Sequence, residues 1–104
     1  MNNSFEEWIT LLESEWSQPN GFLGKLRDGV FDVHEGEQFA KMIESIKLQS
    51  SAVVELRFVS LIWYIPLFIS WQKERALKKG ADSLDFEQFS NRIQALVEDI
   101  LGVP

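Results

Sequence analysis

An all-α fold is what this sequence predicts, as a compact bundle of four main helices plus one short helix, with a central hydrophobic helix kinked or broken at Pro66. Three observations carry that prediction. Apolar residues recur at spacings of three and four in at least four segments. Capping and stop residues sit where those segments begin and end, and one middle segment is too apolar on all sides to lie on a surface. With 104 residues and 12.0 kDa there is room for one small core, so residues 1–104 read as a single helical domain.

The first helix is read from Phe5, Trp8, Ile9, Leu12 and Trp16, the stripe of an amphipathic helix. Ser4 with Glu7 three residues on fits a capping box, and Pro19-Asn20-Gly21 stops the helix. Phe22, Leu23 and Leu26 predict one or two further turns ended by Gly29. Val30, Phe31 and Val33 should then pin an otherwise polar, aperiodic connection to the core. A third stripe, Phe39, Met42, Ile43 and Ile46, starts near Glu37, with Glu37 and Lys41 as an outer i,i+4 pair. Ser50-Ser51 are read as breaking this helix and capping the next.

From Ala52 to Lys79 almost no polar face is left in the middle of the segment, which is expected to be surrounded on most sides. Phe58, Trp63 and Phe68 are its expected core residues. Pro66 removes the bond to the Ile62 carbonyl, so the helix should kink there or restart with Pro66 in its first turn. Lys78, Lys79 and Gly80 mark its end. A strand reading of residues 53–65 is weaker, because the residues do not alternate and no hairpin signal follows. The last helix, Asp82 to Leu101, carries Phe86, Phe89, Ile93, Leu96, Val97, Ile100 and Leu101 on one side and stops at Gly102.

Charge and composition restrict function. Sixteen acids against ten bases give a net charge of −6 and a pI near 4.7, which disfavours direct nucleic-acid binding and favours a basic partner. The basic residues concentrate between positions 51 and 81, where five bases meet two acids. No cysteine is present, so disulfides, thiolate metal sites and cysteine nucleophiles are excluded. The first residues lack the basic and apolar regions of a signal peptide, so a cytoplasmic location is expected. The longest charge-free run, Phe58 to Gln72, spans about 22 Å as helix, short of a ~30 Å hydrocarbon core, so no transmembrane segment is expected.

No catalytic constellation emerges. A lone histidine, His34, cannot build a converging metal site, and it reads as a surface residue near a helix start. The acids from Asp28 onward fail the calcium-loop pattern, since Val33 stands where glycine is needed and Phe39 where the bidentate glutamate belongs. No phosphate-binding glycine loop is present. No cofactor, metal or catalytic residue is therefore expected.

Two groups remain. Glu55 and Arg57 interrupt the apolar run and are read as ligand-facing or as structural polar residues near solvent. Asp28, Asp32, Glu35, Glu37 and Glu44 form a candidate partner-binding surface. The favoured function is a non-enzymatic acidic inhibitor, an immunity protein whose carboxylates occlude the active site of a basic nuclease toxin. Alternatives are a non-catalytic subunit or adaptor of a homo- or hetero-oligomer, a membrane-surface helix protein using aromatics with Arg75, Lys78 and Lys79, and a small enzyme whose paired carboxylates, such as Glu55 and Glu74, converge. Four tryptophans exceed what one small core easily buries, so at least one should lie at an interface.

Overall fold

A computed structural model describes residues 5–17, 19–48 and 53–103. Six helices follow in order: α1 (Phe5–Ser17), α2 (Phe22–Arg27), α3 (Val33–Glu44), α4 (Leu56–Trp63), α5 (Ile65–Lys78) and α6 (Ser83–Leu101). Because α4 and α5 are separated by Tyr64 alone, the architecture is four main helices with α2 as the short one, and no strand occurs among the described residues. Helix α6 packs along α3 and α5, while α1 packs along α2 and α4. The capping role read for Ser4 and the break at Ser50-Ser51 lie outside the described residues, as does Ala52.

The expected stop signals act as their chemistry requires. Asp82 accepts from the Asp85 amide 2.9 Å away, which caps α6 at its start, and Gly102 at φ 85° ends it. At the end of α5, Gly80 adopts φ 103°, and the Ala81 amide donates to the Ala76 carbonyl at 3.0 Å. That is the six-to-one closure for which a left-handed glycine is suited. Pro66 falls in the first turn of α5, where its missing donor costs nothing, so the restart reading holds. Tyr64 itself keeps right-handed helical angles and its carbonyl accepts from the Phe68 amide at 2.9 Å, so the exposed rhythm of the helix runs on across the junction.

Several expectations need correction. Helix α3 begins at Val33 rather than near Glu37, because Asp32 accepts from the Glu35 amide and caps the helix four residues earlier. Val30 and Val33 are exposed; only Phe31 of that connection packs on the core. Glu37 reaches across to Arg92 of α6 at 2.7 Å instead of pairing with Lys41. Residues 53–55 precede α4 as non-helical chain, so that helix starts at Leu56. The α4–α5 run is not surrounded on most sides. Leu56, Trp63, Leu67 and Trp71 all lie open to solvent, and Trp63 is not a core residue.

The core itself is one cluster drawn from all six helices. Phe22, Phe39 and Phe89 form its densest aromatic part, with Phe22 stacked on Phe39 at 4.9 Å between ring centroids and Phe89 edge-on to Phe22 at 5.2 Å. Phe31 closes that group against Phe86 at 5.1 Å. A second group joins Phe58 to Phe5 and Trp8. Phe58 and Phe68 are buried, as the sequence leads one to expect.

Candidate functional site

The site is built on the outward face of α4 and α5. Inward positions of this run are Phe58, Leu61, Ile62, Ile65, Phe68, Ile69 and Ala76. Residues one hundred degrees or more from the mean direction of that inward set face outward. They are Leu56, Ser60, Trp63, Leu67, Ser70, Trp71, Glu74 and Lys78, all exposed. Leu56 keeps 82 % of its surface open, Trp63 51 %, Leu67 38 % and Trp71 61 %. Two half-open indoles four residues either side of a leucine form a continuous apolar stripe with polar ends.

Its floor is rigid. Half-buried Tyr64 lies under both indoles, its ring edge-on to Trp63 at 5.5 Å and to Trp71 at 5.8 Å. Behind Tyr64 stands Trp16 of α1 at 6.0 Å, itself edge-on to Phe68 at 4.8 Å. The Trp16 indole N–H donates to the Leu61 carbonyl at 2.9 Å, which satisfies a polar group that burial would otherwise penalise. Exposed tryptophans held on a tyrosine shelf lose little rotamer freedom when a partner covers them.

The candidate acidic residues are not gathered into one free surface. Asp32 is spent as the cap of α3, Glu35 receives Lys25 at 2.7 Å, and Glu37 receives Arg92 at 2.7 Å. Asp28, the C-cap of α2, and Glu44, the last residue of α3, are exposed at well-separated places and make no ion pair among the described residues. Glu55 and Arg57 are both exposed. Arg57 donates twice to one Glu13 oxygen, at 2.7 and 3.0 Å, tying α4 to α1, and Glu55 precedes α4 without a side-chain cap bond. Glu55 and Glu74 stand at opposite ends of the α4–α5 run, and Glu74 pairs with Lys78 at 3.6 Å, so the two carboxylates do not converge.

His34 is exposed in the first turn of α3, and no group of three or more metal-ligating side chains occurs among the described residues. A cavity of about 520 Å³ opens between the end of α3 and the last turns of α6. It mixes Lys41 and Lys47 with Glu44 and Asp99 over Leu48 and Leu96, and its hydroxyl residue, Ser45, donates to the Met42 carbonyl at 2.6 Å. No helix of the described residues is long and apolar enough to cross a membrane.

Burial raises the Glu15 carboxyl above its ordinary range, helped by nearby Glu35, while the bond it accepts from the Phe22 amide at 3.2 Å and the charge of Lys25 pull the other way. A carboxyl whose pKa rises on folding binds more protons folded than unfolded, so stability falls as pH climbs from the ordinary glutamate range through the raised value. Glu15→Gln keeps an acceptor for Phe22 and removes the charge. Its denaturation midpoint should rise at neutral pH and should vary less than wild type between acid and neutral pH; an unchanged pH profile would count against this assignment.

No family model, curated protein or solved structure matches the chain.

What the sequence reading missed at this site is which tryptophans stay outside. A signal was present, because Leu56, Ser60, Trp63, Leu67 and Trp71 keep helical spacing and Ser60 and Ser70 mark that side as wet.

Proposed function

We propose that the protein is a non-catalytic protein-binding module, a subunit or adaptor that docks through the Leu56–Trp63–Leu67–Trp71 face. The observation that carries this reading is the pair of half-exposed indoles on a preformed shelf. Tryptophan leads the side chains that dominate binding energy at interfaces, and it does so when ringed by groups that exclude water. Here Ser60, Ser70, Glu74 and Lys78 supply such a ring. Inhibition of a basic enzyme, as an immunity protein would act on a nuclease toxin, is a second reading favoured by the net charge of −6 and by exposed Asp28 and Glu44. It ranks second because three of its five carboxylates already serve the fold.

Comparing two double variants separates the readings. Trp63→Ser with Trp71→Ser should abolish capture of proteins that the immobilised wild-type chain retains, while Asp28→Asn with Glu44→Gln should leave capture intact. The reverse pattern, with a captured basic enzyme inhibited at one-to-one stoichiometry, would reject the aromatic face in favour of the inhibitor.

A further inference from the structure

Resting on the docking role just given to this face, we infer that its partner is an acidic peptide segment, which lays apolar side chains on Trp63, Leu67 and Trp71 and a carboxylate on Arg75, with Arg27 beside it. The placement of unpaired charge carries the inference. Of the ten bases, Lys25, Arg57, Lys73, Lys78 and Arg92 each hold a carboxylate at 2.6 to 3.6 Å. The other five have no ion pair among the described residues, and they fall in two places. Lys41 and Lys47 share a cavity with Glu44 and Asp99, whereas Arg27, Arg75 and Lys79 gather around Gly29, beside the aromatic stripe. Asp28, next to Arg27, offsets one of those three. Lys79 stands about 120° around the helix from Leu67, with its stem against Gly29, so it adds to the local potential and not to the contact.

The Arg75 fork is held in place before any partner arrives. Gly29, at φ 85°, leaves room for it, since a Cβ there would stand 2.7 Å from Arg75 Cγ. The stem passes through that gap and the guanidinium donates to the Arg27 carbonyl at the end of α2. One of its five N–H groups is thereby used; the others have no acceptor among the described residues, on a side chain that is exposed. Arg75 follows Trp71 by four residues, which makes them neighbours on one side of the helix, and both line an open cleft of about 310 Å³. Glu74 in that cleft is answered by Lys78 at 3.6 Å. The Arg27 guanidinium lies 5.8 Å from the ring centroid of Phe68, three residues before Trp71. A carboxylate accepts two parallel bonds from such a fork, and arginine joins tryptophan among the side chains where binding energy concentrates. Size suits a segment rather than a folded partner. The two indoles offer roughly 80 to 150 Å² each, well below the ~800 Å² per partner of a standard interface, and a short amphipathic helix is the occupant such a patch fits. At contact, charges more than ~8 Å away are largely screened, so the −6 of the whole chain does not cancel this local surplus.

The probe is a fluorescein-labelled amphipathic helical peptide with leucine on one face and glutamate on the other, compared with versions that carry glutamine or lysine in place of glutamate. Fluorescence anisotropy at physiological salt reads the binding. The glutamate peptide should bind about tenfold more tightly than the glutamine peptide, and the lysine peptide more weakly than either. Arg75→Gln should erase most of that preference and Arg27→Gln should reduce it about threefold. Neither should change binding of the glutamine peptide, which also shows that the variants remain folded. Trp63→Ser with Trp71→Ser should weaken the glutamate and glutamine peptides alike, by about thirtyfold or more. Equal affinity for those two peptides, or a glutamate preference untouched by Arg75→Gln, would overturn the acidic partner, and binding that still needs the tryptophans would leave the docking role standing. Binding of the glutamate peptide that ignores the tryptophan substitutions would overturn both. Failure of every peptide to bind would also overturn the inference, and vesicles of phosphatidylserine bound through Trp63 and Arg75 would then assign the face to a membrane surface instead.

Discussion

Replacing Phe58 by alanine is expected to remove about 3 to 5 kcal/mol of folding stability, a large share of the roughly 5 to 15 kcal/mol available to a small domain. The phenyl ring is fully buried and meets Phe5 edge-on at 5.3 Å and Trp8 at 6.1 Å between centroids. These rings join α1 to α4, so the cavity left by the truncation opens where two helices meet and neither can relax into it alone. Trp63→Ala, five residues on, should cost less than about 1 kcal/mol despite removing a larger side chain. Half of that indole is already in water, and truncating it leaves no enclosed void. Urea unfolding of both variants at low protein concentration checks the contrast. A Phe58→Ala loss below about 1 kcal/mol, or a Trp63→Ala loss above about 2, would reverse the assignment of inside and outside on α4.

That contrast also shows where sequence reading reaches its limit. The end of α5 and both ends of α6 were legible because they follow from local chemistry: Asp82, Gly80 and Gly102 act through bonds and backbone angles within a turn or two of their own position. The end of α3 was not, since that helix stops at Glu44 and leaves Ile46, read as part of its stripe, beyond it. The start of α3 was missed because Val33, His34 and Gly36 show no apolar period. Gly36 is there for a tertiary reason, since a Cβ at that position would stand 3.3 Å from the Phe89 ring of α6. Hydropathy marked Trp63, Leu67 and Trp71 as apolar, but exposure depends on which faces the other helices leave uncovered, and the α4–α5 run is covered on its inner side only. The acidic residues were likewise readable as charges and not as ion pairs. Glu37 and Arg92 are fifty-five positions apart and meet only because α3 lies along α6.

Gly21 offers the sharpest test of how the first two helices are joined. Its backbone angles, φ −69° and ψ 142°, suit any residue, so conformational freedom does not explain a glycine here. Space does. An added Cβ would lie 2.4 Å from the Ser14 carbonyl oxygen and 2.5 Å from that of Glu15, both backbone atoms of α1 that no side-chain rotation can move aside. Gly21→Ala must therefore push α2 away from α1. The Gly21 carbonyl also accepts from the Lys25 amide at 3.0 Å, and Glu15 accepts from the Phe22 amide, so the displacement strains the first turn of α2 as well as its packing. Phe22, Leu23 and Leu26 are all buried, and they would be withdrawn from the core together. A loss of about 3 kcal/mol is expected, at the upper end of what overpacking costs. Gly80→Ala is the matched control, because φ is 103° there and nothing lies within 4 Å of the added Cβ, so only backbone strain of about 1 to 2 kcal/mol is at stake. Amide shifts give the second readout: Gly21→Ala should disturb α2 and the Phe39 and Phe89 rings that Phe22 meets, whereas Gly80→Ala should disturb only the end of α5. Equal losses in the two variants, with no change at Phe39 and Phe89, would mean that α1 and α2 are not held at this distance.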